Sequence, residues 1–404
     1  MNEQPLSKFR SPDLHNVRRA ILMRIRLYLP SPNMRHLVIL LCIGVVLMGS
    51  KATAQLNNSY FFNKSAQLKA GQAAVSVDNL FYFRNLEYKT HIDEGRTLFG
   101  YQLWPTLSYQ VADDIRVTGG GFFQKDFGAD GFYHHQPTLT LEYRTGKKVF
   151  RLGTLNGSVQ HNLVEPLYDF ERVIEQRVEN GFQFLWNKPR FTLDAWIDWR
   201  MVSYPNGTDP ERFFIGTVAE PKWIKREHIQ FSTPYQMVIY HQGGEIDTSG
   251  MPTLSQFNFD YAGRLTIKPE GALDSIDVQA HFLYYEDIST NTVSFIDGLG
   301  QYLSIAAYRK NWGMMLNYYD AHQFQAPLGD VLFQSVSAKN PALYTRFYRK
   351  MVMARLFYER DLGSDLRFLF RAGYMRDLNQ PTDNVIGEFY FRWTPSFHLT
   401  KPNK

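Results

Sequence analysis

The chain has 404 residues and a single cysteine, which excludes a disulfide scaffold and a cysteine-ligated metal cluster. Its formal charge of +5 comes from residues 1–54, where eight Lys or Arg accompany two acids, while the rest carries 36 basic and 37 acidic side chains. A body with a net charge near zero has no general attraction for phosphate backbones, so we expect no nucleic-acid partner.

The head of the chain has the pattern of an export signal. Residues 37–48 are twelve consecutive apolar residues, preceded by basic residues and followed by the small residues Ala52 and Ala54. This pattern is typical of a cleaved secretory signal peptide, and it is too short for a permanent helical span. The sequence predicts a presequence over residues 1–54 that contains a cleaved signal, with an uncleaved anchor as the alternative. The long stretch before Met34 also predicts that translation begins at Met34.

Beyond residue 55 the recurring pattern is alternation with a period of two. Residues 191–200 place Phe, Leu, Ala, Ile and Trp on one face and Thr, Asp, Trp, Asp and Arg on the other. Such alternation predicts a β-strand with one apolar and one largely polar face. Sixteen strands are predicted, at 79–89, 97–111, 114–125, 135–145, 148–156, 178–187, 190–202, 212–220, 226–242, 255–268, 274–286, 299–309, 311–320, 345–360, 364–375 and 383–395.

A soluble sandwich and an outer-membrane barrel both produce alternating strands, and three features favour the barrel. The strands are longer than the usual five or six residues of soluble proteins. Arginines alternate with apolar residues, which suits a wet lumen better than a dry core. Aromatic residues gather near strand ends, as expected for membrane girdles; the pairs are Tyr101 with Trp104, Trp196 with Trp199, Tyr284 with Tyr285, and Tyr318 with Tyr319.

The connections alternate between tight turns and long loops, which is the asymmetry of outer-membrane barrels. The predicted fold is therefore all-β: a closed antiparallel transmembrane β-barrel of about sixteen strands (14–18), with short periplasmic turns and long external loops. We expect a periplasmic segment at 55–78, the barrel at 79–397 and a tail at 398–404.

These features resemble a bacterial outer-membrane porin of the sixteen-stranded kind. The resemblance implies a location in the outer membrane of a Gram-negative bacterium, insertion by the barrel-assembly machinery and association as a homotrimer. In that family the third external loop commonly folds into the lumen, and here it corresponds to residues 157–177. The chain departs from the family after Phe397, because many such barrels end on an aromatic residue whereas this one continues for seven residues.

Two sets of charged residues are candidates for a solute path. The third loop supplies a candidate pore constriction, and the alternative is that it is a solvated external loop; the residues are Glu165, Asp169, Glu171, Arg172, Glu175 and Arg177. The polar strand faces supply candidate lumen-lining residues: Asp194, Asp198, Arg200, Asp260, Arg264, Arg367, Arg371, Glu388 and Arg392. The alternative is that these charges pair across neighbouring strands and stabilise the wall. The mixed signs argue against strong ion selectivity.

Catalytic and metal-binding motifs are weak. His134 and His135 have no third ligand at a diagnostic spacing, so we expect no metal and no cofactor. Histidines and serines are scattered, and no G-x-S-x-G sequence occurs, so we expect no enzymatic activity.

The leading functional hypothesis is a channel for passive diffusion of small polar solutes through the outer membrane, without covalent chemistry. Its partners would be outer-membrane lipid and the solutes themselves. The alternatives are a plugged barrel that acts as a receptor or assembly partner, an outer-membrane hydrolase, and a secreted soluble all-β binding protein.

Overall fold

The computed structural model describes residues 58–63, 65–205, 207–245, 247–289 and 293–399. The predicted presequence and most of the predicted tail lie outside these ranges. Within them, no helix is long and apolar enough to cross a membrane.

A single antiparallel sheet closes on itself. Its first strand, β1 (Ala73–Glu87), pairs with β2 (Arg96–Ala112) on one side and with β17 (Thr382–Trp393) and β18 (Ser396–His398) on the other, so closure leaves no free edge. The strand segments found in the described residues are β1 Ala73–Glu87, β2 Arg96–Ala112, β3 Ile115–Asp126, β4 His134–Thr145, β5 Lys148–Thr154, β6 Asn180–Lys188, β7 Phe191–Met201, β8 Glu211–Lys225, β9 Ile229–Ser232, β10 Tyr235–Gly243, β11 Leu254–Ile267, β12 Ser275–Asp287, β13 Asp297–Arg309, β14 Trp312–His322, β15 Tyr348–Asp361, β16 Leu366–Asp377, β17 Thr382–Trp393 and β18 Ser396–His398.

Two of the wall strands are each built from two segments. β9 and β10 both pair with β8 and β11, and they are separated by Thr233 and Pro234. Proline has no N–H group to give to the ladder, so the strand breaks at this point. β17 and β18 likewise share β1 as their partner. The segments of the described chain therefore form sixteen wall strands, and the predicted fold class is confirmed.

The two faces of the wall differ in polarity as the alternation predicts. Outward-facing positions expose large apolar side chains, and a belt of this kind matches a hydrocarbon environment; examples are Phe81, Leu107, Leu139, Leu152, Met314, Leu316 and Leu356. Inward-facing positions carry buried arginines, carboxylates and amides.

Four of the residues predicted to form rim girdles instead point into the lumen. Trp104 is 6% exposed, Trp196 is 3% exposed, and Tyr285 and Tyr319 are fully buried. The reason is the period of two, because each lies one residue from an outward-facing position and so takes the opposite face. Trp199, by contrast, is 42% exposed at the outer face.

One end of the barrel carries tight turns and the other carries long loops. The turns between β2 and β3 and between β4 and β5 take two residues each, whereas 155–179 and 323–347 connect strands at the opposite end. Both chain ends of the barrel, Ala73 and His398, lie at the short-turn end.

The wall begins six residues before its predicted start, because the small inward residues Ala74 and Ser76 carry a weak alternation signal.

Three segments of the described chain enter the lumen. They are loop L3 (residues 155–179), loop L7 (residues 323–347) and the amino-terminal segment around Tyr60 and Phe61, both of which are at most 1% exposed. Apolar side chains from all three form one core cluster with inward residues of the wall. The centre of this barrel is therefore packed with protein.

L3 and L7 are held against each other through their main chains. The N–H of Asp169 donates to the carbonyl of Leu328 at 2.6 Å, and the N–H of Asp330 donates to the carbonyl of Glu165 at 3.1 Å. At Gly329 a Cβ atom would lie 2.1 Å from the carbonyl oxygen of Pro166, so only glycine allows this approach. The two loops act as one inserted unit.

Candidate functional site

The charged residues of L3 lie inside the lumen and contact the wall. Glu165 accepts hydrogen bonds from the Tyr302 hydroxyl and from Arg355, both at 2.7 Å. Glu171 pairs with Arg84 at 3.2 Å. Tyr302 belongs to β13, Arg355 to β15 and Arg84 to β1. Because L3 is bonded to three separate strands of the wall, it is fixed inside the barrel.

The remaining L3 charges divide into paired and unpaired groups. Glu175 pairs with Arg96 at 2.6 Å, whereas the Nε and Nη2 atoms of Arg172 are buried without a hydrogen-bond partner in the described chain. The Arg172 guanidinium lies 5.7 Å from the centre of the Phe214 ring, a cation–π contact. Burial raises the pKa of Asp169 to about 6, although Arg84 and Arg172 act in the opposite direction.

A second charge cluster ties L3 to the amino-terminal segment and the wall. Asp78 accepts from Arg177 at 2.5 Å and from Arg392 at 2.6 Å. Arg392 also donates to the carbonyl of Phe62 at 3.0 Å, and Arg177 donates to the side chain of Asn63 at 3.2 Å. Two guanidinium groups thus share one carboxylate and hold the amino-terminal segment in the lumen.

The predicted lumen-lining residues all face inward, and each contacts a partner. Most partners lie on neighbouring strands or on the inserted segments rather than across open water. The pairs are Asp194 with His161, Asp198 with Arg200, Asp260 with His281, Arg264 with Asp277, Arg367 with Asp361, Arg371 with Asn58, Glu388 with Arg84, and Arg392 with Asp78. Their role in solute passage stays a prediction, as does the constriction role of the L3 residues.

One deeply enclosed imidazole belongs to L3. His161 is 2% exposed, with its Nδ1 2.8 Å from Asp194 and its Nε2 2.8 Å from Glu179. Its ring stacks on Trp196 at 3.5 Å between centroids and 8° between planes. Burial alone would lower the pKa of His161, but Asp194 and Glu179 raise it to about 10. Both nitrogens are occupied, so this residue braces L3 and has no lone pair free for chemistry.

A different arrangement occurs on the outer face of the wall. The Oγ atom of Ser255 lies 2.8 Å from Nδ1 of His241, at the long-loop end of the hairpin formed by β10 and β11. Both side chains are half-buried. The neighbouring positions Val238 and Gln256 are buried inward, so alternation places His241 and Ser255 on the outward face.

The antiparallel register brings the pair together. His241 lies directly opposite Ser255 across β10 and β11, and it lies opposite Phe213 across β8 and β10. The ring of His241 lies 5.0 Å from that of Phe213, which stacks on Trp199 at 5.0 Å. A row of two aromatic rings, an imidazole and a hydroxyl therefore crosses four strands at the rim.

This geometry has the elements of nucleophilic catalysis. A serine hydroxyl becomes a nucleophile when an adjacent imidazole accepts its proton, at the separation seen between Ser255 and His241. Nε2 of His241 has no hydrogen-bond partner in the part of the chain that the structure describes, and no carboxylate orients the ring. The pair is thus a dyad without a third member among the described residues.

The pair was not predicted from the sequence because the two residues belong to no short sequence motif. His241 and Ser255 are fourteen residues apart, and only the hairpin register makes them neighbours. A usable signal was present, because the two residues lie about seven positions on either side of the middle of the loop that joins two predicted strands. The described residues contain no group of three or more His, Cys, Asp or Glu side chains placed to hold a metal ion.

Comparison with protein families shows to which family the chain belongs. The model of the lipid A 3'-O-deacylase-type family matches residues 63–402. The chain belongs to this family. The match covers the whole barrel, and the family description names an enzymatic activity. The expectation that the protein is not an enzyme was therefore wrong, because it rested on the absence of a local motif, which a catalytic pair assembled across strands does not need.

Solved structures show the fold. The outer membrane protein OprD of Pseudomonas aeruginosa is 12% identical, with a TM-score of 0.50, and the match covers 83% of this chain and 98% of OprD. A loop-deletion mutant of OmpT, an outer membrane protein of Vibrio cholerae, is 11% identical, with a TM-score of 0.50 and coverages of 80% and 99%. No curated protein matches significantly.

These likenesses confirm the predicted resemblance to sixteen-stranded outer-membrane barrels. Identities near 12% establish the architecture alone. A closed wall with an apolar outer face also confirms the predicted location in the Gram-negative outer membrane.

Proposed function

We propose that this protein is an outer-membrane hydrolase that removes an ester-linked acyl chain from a glycolipid of the outer leaflet. The observation that carries the proposal is the Ser255–His241 hydrogen bond on the outward face of the long-loop rim. The family description supports the substrate class, since its activity is removal of a 3'-O-acyl chain from lipid A. Long loops of such barrels face the cell exterior, which puts the pair beside the outer leaflet.

The chemistry needs only these two side chains and water. With the imidazole proton on Nε2, the Ser255 hydroxyl donates to Nδ1 of His241. The Oγ atom attacks the ester carbonyl while Nδ1 takes the hydroxyl proton, and the imidazolium then protonates the departing sugar oxygen. Water, deprotonated by the same imidazole, attacks the acyl-serine and releases the fatty acid, which restores the serine.

The surroundings suit a lipid substrate. Trp199 and Phe213 form an apolar surface next to the imidazole, and Ile288 beyond Ser255 is 57% exposed. Aromatic rings at this level of a membrane barrel contact the boundary between head groups and acyl chains. An ester bond of a membrane lipid lies at that same boundary, so the substrate reaches the pair without leaving the bilayer.

The test is acyl release by purified, folded protein from lipid A in mixed micelles, measured by mass spectrometry of both products. We expect Ser255→Ala to lower the rate by about 10³-fold or more, because the nucleophile is lost. Ser249→Ala, a serine of the same hairpin loop, is the matched control and should keep the wild-type rate. Unchanged release by Ser255→Ala, with the barrel folded, would overturn the proposal.

A diffusion role beside hydrolysis is the second candidate, and one observation favours it. A cavity of about 370 Å³ extends from the short-turn end along charged inward residues such as Asp194 and Arg264. L3 and L7 lie between this cavity and the long-loop end. Single-channel conductance of the folded protein in planar bilayers tests the hypothesis. The predicted receptor or assembly role stays a prediction, and co-purification of a stoichiometric partner would test it.

A further inference from the structure

A cavity at the short-turn end has no part in the proposed hydrolysis. Its volume is about 250 Å³, slightly below the range of ~300–1,000 Å³ typical of small-molecule sites. It lies between the inward faces of β1 to β5 and the amino-terminal segment, and Asp365 of the β15–β16 turn, Thr394 and Ser396 of β18 form its mouth. The cavity therefore opens on the periplasmic side of the barrel.

One guanidinium group in this cavity is incompletely bonded. Arg116 is only 9% exposed, and its Nε donates to Gln110 at 2.8 Å. Its two terminal Nη groups have no hydrogen-bond partner in the described chain, and the side chain lines the cavity. Neither Nη group is among the fully enclosed side-chain atoms that lack a partner, so both face the open space of the cavity and are available to a ligand that accepts hydrogen bonds.

The neighbouring charges are already paired. Arg151 donates to Glu142 at 2.7 Å and to Gln183 at 2.9 Å, and Glu142 also accepts from Arg144 at 2.5 Å. The carboxylate of Asp78, on the other side of the cavity, is shared by two arginines. Among the enclosed charges of this cavity, Arg116 is thus the cation left with donors for an outside anion.

Hydroxyl groups form much of the remaining wall. Ser108 and Thr118 lie 2.9 Å apart beside Arg116, and Ser76 lies 2.9 Å from Ser396 at the mouth. Each hydroxyl both donates and accepts, so such a wall can bond to the hydroxyls of a ligand as well as to its charged oxygens. Asp365, also at the mouth, disfavours ligands with more than one strong negative charge on that side.

We propose that this cavity binds a small hydroxylated oxyanion from the periplasm, with its charged group held by the Nη atoms of Arg116. A planar guanidinium with two free donors matches a carboxylate or phosphate edge in a bidentate arrangement. The hydroxyls of Ser108 and Thr118 bind the polyol part. This site is separate from the Ser255–His241 pair, which lies at the opposite end of the barrel and on the opposite face of the wall.

The test is isothermal titration of the folded protein with glycerol 3-phosphate, glycerate and glycerol. We expect one or both anions to bind, and glycerol to bind at least tenfold more weakly. Arg116→Gln should weaken anion binding by about tenfold to a hundredfold, since charge-assisted hydrogen bonds are lost. Arg309→Gln, an exposed arginine at the same end of the barrel, should bind as the wild type does.

Three results would overturn the inference. They are saturation by neither anion up to about 10 mM, equal affinity for glycerol, and unchanged anion affinity in Arg116→Gln. Binding of glycerol 3-phosphate alone would assign the site to phosphate esters, and binding of glycerate alone would assign it to hydroxy acids. The heat-induced shift of band mobility on gels verifies that each variant is folded.

Discussion

Two histidines, one in the lumen and one on the outer face, have different surroundings although their side chains are the same. His161 is buried, stacked on Trp196, and bonded through both nitrogens to carboxylates. His241 is half-buried, lies against Phe213, and bonds through one nitrogen to a neutral hydroxyl. The first imidazole is enclosed and fully bonded, whereas the second is accessible and bonded on one side only.

The difference separates a structural role from a chemical one. An imidazole held between two carboxylates keeps its proton at neutral pH and neither accepts another nor leaves its place. An imidazole beside a hydroxyl can take a proton and return it, which acid–base catalysis requires. In this barrel we therefore interpret the dense charge network of the lumen as structural support for the inserted loops, and in the proposed function the outer pair is the reactive group.

Replacement of each histidine by alanine gives the largest expected contrast. His241→Ala removes the base, so we expect acyl release to fall by about 10³-fold or more while the barrel stays folded. His161→Ala leaves Asp194 without its ion-pair partner and leaves Glu179 with only the longer 3.6 Å contact to Arg200, so we expect the free energy of unfolding to fall by about 3–5 kcal/mol. Acyl release per folded molecule should change less than about twofold in His161→Ala, because the two sites share no contact.

Urea unfolding in detergent and mass-spectrometric assays of acyl release give the two readouts. His228→Ala, at an exposed turn of the opposite end, controls for loss of an imidazole and should change neither quantity. The comparison fails if His161→Ala abolishes hydrolysis in folded protein, or if His241→Ala leaves the rate intact.

A second, smaller contrast concerns the anchor of L3. Glu165→Ala removes the acceptor of Tyr302 and Arg355 and leaves a buried guanidinium unpaired, so we expect a loss of about 3 kcal/mol in the free energy of unfolding. L3 should also leave its place more often, which should raise the conductance in planar bilayers above that of the wild type. Glu87→Ala, an outward carboxylate at the rim, is the control. Equal conductance for Glu165→Ala and wild type would mean that L3 does not close the lumen.

The wall was more predictable from the sequence than the site. Period-two alternation identifies a strand locally, so all sixteen wall strands were predicted, and the differences lie at their ends except for one break inside the strand predicted at 226–242. β8 extends five residues beyond its predicted end, to Lys225, and the strand predicted at 226–242 begins at Ile229 and breaks at Pro234. Turn residues shift the ends of strands, and a proline can also interrupt a strand, while the alternation on either side is kept.

The contacts inside the lumen could not be predicted in the same way. Arg84 pairs with Glu388, 304 residues along the chain, because closure makes β1 and β17 neighbours. The partners of Glu165 depend on where L3 and L7 settle, which alternation does not encode. The outer pair depends on hairpin register, since a shift of one residue would separate His241 from Ser255 and turn one of them inward.

The weakest expected effect is a dependence of the L3–L7 contact on pH. Burial raises the pKa of Asp330 to about 7, with the nearby Asp169 as the second cause, and burial raises that of Asp169 to about 6. For an acid whose pKa is raised by folding, the stabilisation is complete below its usual pKa near 4 and is lost as pH rises through the raised value. We therefore expect L7 to be held more tightly at pH 5 than at pH 8.

Limited proteolysis or hydrogen exchange of residues 323–347 between pH 5 and pH 8 measures this dependence. Asp330→Asn keeps an acceptor for the N–H of Leu332, which the Asp330 side chain bonds at 2.9 Å, and removes the ionisable group. Protection of L7 in Asp330→Asn should therefore vary less with pH, whereas Asp365→Asn, at an exposed turn, should follow the wild type. Protection that rises from pH 5 to pH 8 would mean that these carboxylates are stabilised as anions by the surrounding arginines, and the lumen would then hold L3 and L7 by attraction between charges rather than by burial of neutral groups.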